Sequence, residues 1–339
     1  MRYIGSKLSL LERLSFEIIL RTPKAGVFCD LFSGSAAVAR YFKKRNYQTI
    51  SNDIMHFSYY LQAATIELNF KPEFKGLNFE PINYLNKLDT NNFEYSKNKF
   101  VVDNYSPSGS KDTGYFTREN ALKIDAIRQQ INIWLNLKRI NNNEYVYLIA
   151  SLIEAVPFVS NTTGTYGAYL KKWDKRALKP LVLADHEIFD NGLVNKSFCE
   201  DANNLIKKLE GDIIYIDPPY NRRQYGSNYH VLETIARYDN PIVRGITSMR
   251  DNSDISSNFC MKSKAESALN EIISNSKFSH IFFSYNSEGI LSEAQIKEIF
   301  IGNCKKDSVE LIKIPYRRYK RNKKIDNEQL FEFLFIGQK

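Results

Sequence analysis

The sequence predicts an α/β protein in which helices cover both faces of a central sheet. Two observations support this class. An apolar strand at residues 27–32, a helix at 36–45 and a second strand at 48–51 follow one another in the order of a βαβ unit. Later in the chain, the short apolar runs 213–216 and 280–285 have the length of further buried strands.

The region between these two parts has a different composition. It is dominated by Asn, Lys and aromatic residues, and two helices are predicted in it, at 120–138 and 144–156. We therefore predict one domain formed by residues 1–56 and 196–339, into which a mainly helical domain of residues 57–195 is inserted.

Elements near the two ends of the chain complete the predicted fold. An amphipathic N-terminal helix has four apolar residues on one side, namely Leu8, Leu11, Leu14 and Ile18. Another helix is predicted to begin at Ser292, because Gln295 completes a capping box there. Two apolar runs at 309–314 and 330–336 flank a charged turn and are predicted to form a C-terminal β-hairpin.

Composition limits the classes of function. The chain has 339 residues, of which 43% are hydrophobic, enough for a full core. Its net charge of +9, from 47 basic and 38 acidic residues, indicates a polyanionic partner. No apolar run is long enough to span a bilayer, and the four cysteines and four histidines lack the spacing of a disulfide framework or a metal site. We therefore expect a soluble, cytoplasmic protein without a metal. A monomer is compatible with the sequence, but the oligomeric state stays open.

Four residues, Asp217, Pro218, Pro219 and Tyr220, directly follow the apolar run 213–216 and are the strongest indication of function. The two prolines lack amide hydrogens and end the strand, which leaves backbone carbonyls free to accept hydrogen bonds. A primary amine on an aromatic ring suits this site. The Asp217 carboxylate accepts one N–H, the Pro218 carbonyl accepts the other and Tyr220 stacks on the ring. The motif therefore predicts a site for the exocyclic amino group of a nucleobase.

A second candidate site lies where the first strand meets the following helix. Asp30, Phe32 and Gly34 lie in this turn, where α/β folds bind nucleotides through free backbone amides. Asp53, at the end of the second strand, has the usual position of an acid that binds ribose hydroxyls. The chain has no GxxxxGK[ST] sequence, so a nucleoside triphosphate is not favoured. Together these residues predict an adenosine-containing cofactor.

Two basic stretches that also contain aromatic residues predict contact with DNA. The first lies in the insertion and comprises Tyr166, Tyr169, Lys171, Lys172, Trp173, Lys175 and Arg176. The second lies in the turn of the C-terminal hairpin and comprises Arg317, Arg318, Lys320 and Arg321. Because the hairpin turn is dense in charge, we assign it mainly to phosphates. The longer loop of the insertion is the better candidate for contacts with base edges.

The order of these motifs resembles that of a known family. Residues 2–7 read Arg-Tyr-Ile-Gly-Ser-Lys, residues 30–34 read Asp-Leu-Phe-Ser-Gly, Asn-Asp follows at 52–53, and Asp-Pro-Pro-Tyr comes after the long insertion, at 217–220. This order is similar to that of the Dam-like (D12, alpha) class of DNA adenine-N6 methyltransferases, in which the target-recognition domain is inserted before the catalytic motif. The resemblance thus implies that residues 57–195 are the target-recognition domain and that residues 1–56 and 196–339 are the catalytic domain. Within that class the chain resembles restriction-modification methylases of the FokI type, over nearly its whole length.

The resemblance implies a Rossmann-like methyltransferase sheet that binds S-adenosylmethionine, releases S-adenosylhomocysteine and acts on double-stranded DNA without a metal. It also implies a set of cofactor-binding residues: Tyr3 and Lys7 at the methionine end, Asp53 at the ribose, Asp201 at the adenine amino group, and Phe32 and Gly34 along the pocket. The chain departs from the family at Ala36, where a second glycine is more usual.

The expected mechanism follows from the chemistry of the amine. The lone pair of adenine N6 is delocalised into the ring, so the nitrogen is a poor nucleophile until acceptors hold its two hydrogens out of the ring plane. Asp217 and the Pro218 carbonyl would do this, and the nitrogen would then attack the sulfonium methyl group in line. The amine is out of reach in a duplex, so the adenine must flip out and stack on Tyr220. The Asp217 carboxylate would accept the proton that is shed.

Other functions stay open on the sequence alone. A cytosine-N4 methyltransferase uses the same chemistry, but more often has Ser in place of Asp217. An RNA or protein-glutamine methyltransferase more often has Asn there and needs no large insertion. A catalytically inactive DNA-binding module would keep the basic stretches and lose the cofactor pocket.

Overall fold

The computed structural model describes residues 7–90, 98–107, 109–316 and 330–339. These residues form a seven-stranded main sheet and a separate two-stranded sheet made of β5 and β6. The strands in chain order are β1 (Val27–Asp30), β2 (Gln48–Asn52), β3 (Lys196–Phe198), β4 (Glu210–Ile216), β5 (Val243–Arg244), β6 (Met249–Arg250), β7 (Lys277–Asn286), β8 (Glu310–Tyr316) and β9 (Leu330–Gln338).

The order of strands in the main sheet is β3-β2-β1-β4-β7-β9-β8. The strands from β3 to β7 in this order are parallel, and β9 runs antiparallel to both β7 and β8. The chain moves outward from β1 to β2 and β3, and then returns to β4 on the other side of β1. In open α/β sheets, ligands bind beyond the carboxyl ends of the strands at such a reversal of order. The predicted α/β class and the predicted C-terminal antiparallel strand pair are confirmed.

Helices cover both faces of the sheet, as predicted. In chain order they are α1 (Leu11–Arg21), α2 (Ala37–Lys43), α3 (His56–Gln62), α4 (Pro81–Lys87), α5 (Phe100–Tyr105), α6 (Arg118–Asn136), α7 (Asn142–Ala155), α8 (Ala202–Leu205), α9 (Tyr225–Arg237), α10 (Ala265–Asn275) and α11 (Glu293–Asn303). Neighbouring residues of a strand face opposite sides. Phe28 therefore packs with α1 and α2, whereas Cys29 packs with α8, α10 and α11. Among the helices of the described residues, none has the length and apolar character needed to cross a membrane.

A second hydrophobic core is formed by helices. It contains apolar side chains of α3 to α7, among them Leu61, Ile127 and Leu152. It also contains Leu232 of α9, because α9 packs against α3 and α7. The helical core therefore extends beyond the proposed insertion of residues 57–195, and the domain boundaries stay a prediction.

The N-terminal helix is shorter than the sequence suggested. Residues Lys7–Ser9 form one turn of 3-10 helix, and α1 begins only at Leu11. Leu14 is buried against the sheet, as predicted, but Leu8 is 61% exposed. The assignment of Leu8 to the apolar face was wrong, because Leu8 lies in the 3-10 turn before α1, and 3.0 residues per turn break the α-helical spacing.

Capping side chains determine where the longer helices begin. The capping box predicted at Ser292 and Gln295 is present at the start of α11. A second capping box, formed by Asn141 and Glu144, starts α7 before the predicted boundary. The Thr117 side chain caps α6, which therefore begins at Arg118.

Candidate active site

The carboxyl ends of β1, β2 and β4 surround one cavity. Its wall contains every predicted catalytic and cofactor-binding residue that lies in the described part of the chain: Lys7, Asp30, Phe32, Gly34, Asp53, Asp201, Asp217, Pro218, Pro219 and Tyr220. Tyr3 lies outside the described residues. Residues that are far apart in the sequence thus meet at one edge of the sheet.

Asp53 follows β2 and is only 7% exposed. Its Oδ2 accepts a hydrogen bond from the Gly34 amide (3.0 Å), and its Oδ1 accepts one from the Met55 amide (2.9 Å). Burial raises the pKa of Asp53 to about 6, although these two amides oppose the shift. The carboxyl group is thus held in the cavity wall, and each oxygen retains a lone pair for a ligand hydroxyl.

Asp30, the last residue of β1, is buried in the cavity wall. Its Oδ2 accepts a hydrogen bond from the Ala39 amide at 3.2 Å. Neither its Oδ1 nor the nearby Ser33 hydroxyl has a well-formed hydrogen bond within the described residues. Burial raises the pKa of Asp30 to about 7. The Ser33 hydroxyl and the Ala39 amide oppose this shift, and the carboxyl group keeps acceptor capacity for an N–H group of a ligand.

The turn after β1 contains two residues in the left-handed conformation, Gly34 (φ 51°) and Ala36 (φ 60°). Glycine adopts this conformation freely, whereas alanine does so at a cost of about 1–2 kcal/mol. Ala36 is the position where the resembled family more often has glycine. The alanine therefore keeps the backbone geometry that suits glycine, and it does so under strain.

Asn52, which is 1% exposed, connects three strand ends. Its side-chain amide donates to the carbonyls of Leu31 (3.1 Å) and Glu200 (3.0 Å), and its Oδ1 accepts a hydrogen bond from the Glu200 amide (3.1 Å). These bonds hold together the turn after β1, the end of β2 and the segment after β3. Sequence reasoning assigned no role to Asn52. An amide side chain at the end of a buried strand is the signal that could have identified it.

Asp217 follows β4 and shares the ammonium group of Lys7 with Glu332 of β9. Lys7 Nζ lies 3.0 Å from Asp217 Oδ1 and 2.7 Å from Glu332 Oε1. Burial raises the pKa of Asp217, with Lys7 opposing the shift and Glu332 adding to it. Burial alone would lower the pKa of Lys7, but the two carboxyl groups outweigh it and hold that pKa well above its ordinary value. Lys7 is thus a buried cation bound to Asp217, and its implied contact with the methionine end of a cofactor stays a prediction.

Tyr220 lines the cavity with a ring that is only partly buried. The ring packs edge-on against Tyr285, with centroids 6.4 Å apart, and Lys7 Nζ lies 5.9 Å from its centroid. The Tyr220 carbonyl accepts a hydrogen bond from the Ile290 amide at 3.0 Å. These contacts fix the ring beside Asp217 and leave part of its surface for stacking.

Asp201 lines the cavity and also caps α8, because its Oδ1 accepts a hydrogen bond from the Asn204 amide at 3.2 Å. The capping bond uses only part of the acceptor capacity of a carboxylate. The implied contact with a cofactor amino group is therefore compatible with the cap, and it stays a prediction.

Several residues of the cavity wall were not predicted. They include Ile54, Met55, Gln224, Tyr225, Ile255 and Ser257. Ile54 and Met55 directly follow Asp53, so their place after the second strand could have identified them. Ser257 lies in a loop without a regular pattern. It is held there because the Gln224 side chain accepts from its amide (2.8 Å) and donates to its carbonyl (3.0 Å).

The basic and aromatic loop of the insertion is partly buried. Tyr166 is 2% exposed and belongs to the helical core, which corrects the prediction that its ring contacts DNA. Its amide donates to the Asn228 carbonyl (2.7 Å), and its carbonyl accepts from the Tyr115 hydroxyl (2.6 Å). Bonded in this way, the backbone directs the ring inward. Tyr169 packs edge-on against Tyr115, with centroids 5.1 Å apart, and is half-buried.

The remaining residues of this loop differ in their exposure and in their ion pairs. Lys171, Lys172 and Lys175 are exposed, and Trp173 is 38% exposed. Arg176 is paired with Asp174 at 2.7 Å. The four hairpin residues, Arg317, Arg318, Lys320 and Arg321, lie outside the described residues. Contact of either group with DNA stays a prediction.

The four cysteines are free thiols. Within residues 7–90, 98–107, 109–316 and 330–339, no group of three or more His, Cys, Asp or Glu side chains is arranged to hold a metal ion.

The strand order, the glycine turn after β1 and the acid after β2 define the class of S-adenosylmethionine-dependent methyltransferase folds. The family model described as D12 class N6 adenine-specific DNA methyltransferase matches residues 3–299, and the chain belongs to this family.

Three relatives illustrate the similarity. The chain is 48% identical to the type II methyltransferase M.FokI of Planomicrobium okeanokoites and 45% identical to the modification methylase StsI of Streptococcus sanguinis, in both cases over 100% of its own length. It spans only 53% and 52% of those two proteins. It is 39% identical to the type II methyltransferase M.NlaIII of Neisseria lactamica, over 100% of this chain and 99% of that protein.

Proposed function

We propose that the chain is a site-specific DNA methyltransferase that transfers a methyl group from S-adenosylmethionine to N6 of an adenine flipped out of duplex DNA. One observation carries the proposal: the acceptor motif Asp217 to Tyr220 and the acids Asp30 and Asp53 line the same cavity. A site for an exocyclic amine is thereby adjacent to a site for an adenosine-containing cofactor. Membership of the D12 family supports adenine as the base.

The cavity fits the cofactor that the family implies. The Asp30 carboxyl group in the cavity wall suits the amino group of the methionine moiety, and Asp53 suits two ribose hydroxyls. Ile54 and Met55 supply apolar surface next to Asp53, where an adenine ring can pack. When bound, S-adenosylmethionine supplies an electrophilic methyl group on a positively charged sulfur.

The chain's own residues activate the amine. Asp217 accepts one N–H of the adenine amino group and the Pro218 carbonyl accepts the other, which frees the nitrogen lone pair from the ring. Tyr220 stacks on the base, and its contact with Tyr285 keeps the ring in place. Asp217 then receives the proton, either directly or through water. Burial favours this step because it raises the pKa of Asp217.

Double-stranded DNA is the proposed partner, because the net charge is +9 and exposed lysines and Trp173 lie in the loop of the insertion. Relatives named type II methyltransferases and modification methylases support a role as the modification enzyme of a restriction-modification system in the bacterial cytoplasm. A cytosine-N4 enzyme is less well supported, because Asp rather than Ser precedes the two prolines. The intact acids of the cavity also disfavour an inactive DNA-binding module.

Sequencing of modified bases tests the function in cells. A host that lacks its own adenine methylases and expresses this chain should carry N6-methyladenine at one recurrent sequence of its genome. Modified cytosines, or modified adenines without a common sequence, would contradict the proposal. Expression of the Asp217→Ala variant is the matched control, and its genome should lack the modification.

Asp53→Ala should weaken binding of S-adenosylmethionine by roughly 1–3 kcal/mol, because charge-assisted hydrogen bonds to the ribose are removed. Isothermal titration calorimetry measures the affinity, and thermal unfolding checks that the variant is folded. Asp307→Ala, which removes an exposed carboxylate outside the cavity wall, is the matched control. Unchanged affinity in Asp53→Ala would mean that the ribose binds elsewhere.

The two basic stretches should respond differently to mutation. Lys172→Ala should reduce discrimination between the cognate site and single-base variants by about 1–3 kcal/mol, with little change in non-specific affinity. Neutralising Arg317 and Arg318 together should instead weaken binding to all sequences alike, and lower the salt slope by about 0.9 for each phosphate that the variant no longer neutralises. Competition binding at two salt concentrations separates the two effects. An even reduction of affinity across all sequences in Lys172→Ala would contradict the assignment of base reading to the loop.

A further inference from the structure

Lys7 is contacted by two carboxyl groups, and the proposed function uses only one of them. Its Nζ lies closer to Glu332 (2.7 Å) than to Asp217 (3.0 Å). The Glu332 side chain is 3% exposed and also accepts a hydrogen bond from the Ser284 hydroxyl. Glu332 lies outside residues 3–299, the part of the chain that the family model matches.

The topology explains how a residue so near the C-terminus reaches the cavity. Because β9 is antiparallel to β7, its first residues lie at the edge where β4 and β7 end. Glu332 pairs with Asn286 at the end of β7 and with Ile314 of β8. The pairing of strands thus places this carboxyl group beside Asp217, although the two residues are far apart in the sequence.

We propose that Glu332 is a positioning residue for methyl transfer: it anchors the Lys7 ammonium and balances its charge, so that Asp217 stays a strong acceptor for the target amine. This inference rests on the proposed function. A lysine paired with Asp217 alone would form a closed ion pair and draw electron density away from the acceptor oxygens. With Glu332 taking the shorter contact, Lys7 orients Asp217 without neutralising it fully.

The surroundings of Asp217 support this division of roles. The charged or titratable groups that face it are Lys7, Glu332, Asp30, Tyr215, Tyr220 and Tyr225. Lys7 is the only cation among these described groups, and it must serve both Asp217 and Glu332. Burial raises the pKa of Asp217, and Glu332 adds to this shift, which is the direction that a proton acceptor requires.

The pH dependence of kcat/KM for S-adenosylmethionine tests the proposal, because its acid limb reports the ionisation of the free enzyme. Glu332→Gln keeps the volume and the hydrogen bonds but removes the charge, so the pKa of Asp217 should fall and the acid limb should move to lower pH by about one unit. The plateau of kcat should fall about tenfold, because a weaker base accepts the proton less readily. Glu332→Asp keeps the charge at a greater distance and should lie between the wild type and Glu332→Gln.

A matched control tests whether a shift of the acid limb is specific to Glu332. Glu310→Gln removes a carboxylate paired with Arg21 at the far end of the β8–β9 pair and should leave the acid limb in place. An unmoved acid limb in both Glu332 variants, with only a lower unfolding temperature, would reduce Glu332 to a structural residue and overturn the proposal.

A second readout compares the pKa of Asp217 in the wild type and in the Glu332 variants without turnover. The NMR signal of its labelled carboxyl carbon is followed during a pH titration of the free protein. A lower midpoint in Glu332→Gln supports the inference and an equal midpoint overturns it, even if the wild type proves not to methylate adenine. Should Glu332→Gln not fold, the wild type and Glu332→Asp decide the same question, with a smaller shift expected.

Discussion

Asp217→Ala should lower the rate of methyl transfer by roughly 10²- to 10⁴-fold, because the amine loses the acceptor that frees its lone pair and the group that takes its proton. DNA affinity should stay within about tenfold, since the substitution removes no phosphate contact. Single-turnover transfer of a labelled methyl group measures the chemical step, and a binding assay on the same duplex measures the affinity.

Glu210→Ala is the matched control for this substitution. Glu210 is an exposed carboxylate at the opposite end of the same strand, β4, and its removal should leave transfer unchanged. Near-parental transfer by Asp217→Ala would show that the catalytic site lies elsewhere. A parallel loss of transfer and DNA binding would indicate disruption of the fold rather than loss of an acceptor.

Lys7→Met should destabilise the folded protein by roughly 3–5 kcal/mol at about pH 8, because it leaves the buried carboxyl groups of Asp217 and Glu332 without their cation. Burial already raises the pKa of Asp217, and removal of Lys7 should raise it further. A carboxyl group whose pKa is higher in the folded state than in the unfolded state favours folding at low pH, where it is protonated. This contribution to the stability of the folded protein is lost as the pH rises through the folded-state pKa. The cost of Lys7→Met should therefore shrink at about pH 5, where Asp217 can bind a proton.

Chemical denaturation at both pH values measures this effect. Lys208→Met is the control, because Lys208 is paired with Glu200 at the surface and its side chain is 62% exposed. It should cost at most about 1 kcal/mol, with little dependence on pH. Equal costs for the two variants would contradict the picture of a buried cation that serves two carboxyl groups.

Much of the fold and of the cavity follows from local sequence signals. Asp30 and Asp217 lie at the ends of apolar strands and Asp53 follows the second strand of the βαβ unit, and the carboxyl ends of parallel strands share one edge of a sheet. Their convergence could therefore be predicted without knowing the order of the strands. Gly34 could be identified for a different reason: it lies in the turn between a strand and a helix, where glycine tolerates the positive φ that this turn has.

Other features depend on contacts between distant segments. Glu332 is a single acid in an apolar strand, which by pattern alone would be assigned to solvent. Its inward position arises only when β9 pairs with β7. Tyr166 lies in a stretch where basic and aromatic residues alternate, a pattern that predicts an exposed segment. Backbone hydrogen bonds to Asn228 and Tyr115 instead direct its ring into the helical core. Periodicity carries no information on either contact.

The extent of the helical core was also not predictable from local patterns. Its boundary depends on α9, which follows the Asp217 motif in the chain and yet packs with α3 and α7. Ala36 shows a further limit, because its left-handed conformation is set by the turn around it rather than by the preference of alanine.

Nucleoside analysis of DNA treated with the purified chain and S-adenosylmethionine tests the central claim most directly. After digestion to nucleosides, mass spectrometry should detect N6-methyladenine, in an amount that rises with incubation time and is absent with the Asp217→Ala protein. N4-methylcytosine in its place, or no methylated nucleoside although calorimetry shows the cofactor bound, would contradict the assignment of adenine N6 as the acceptor in this cavity.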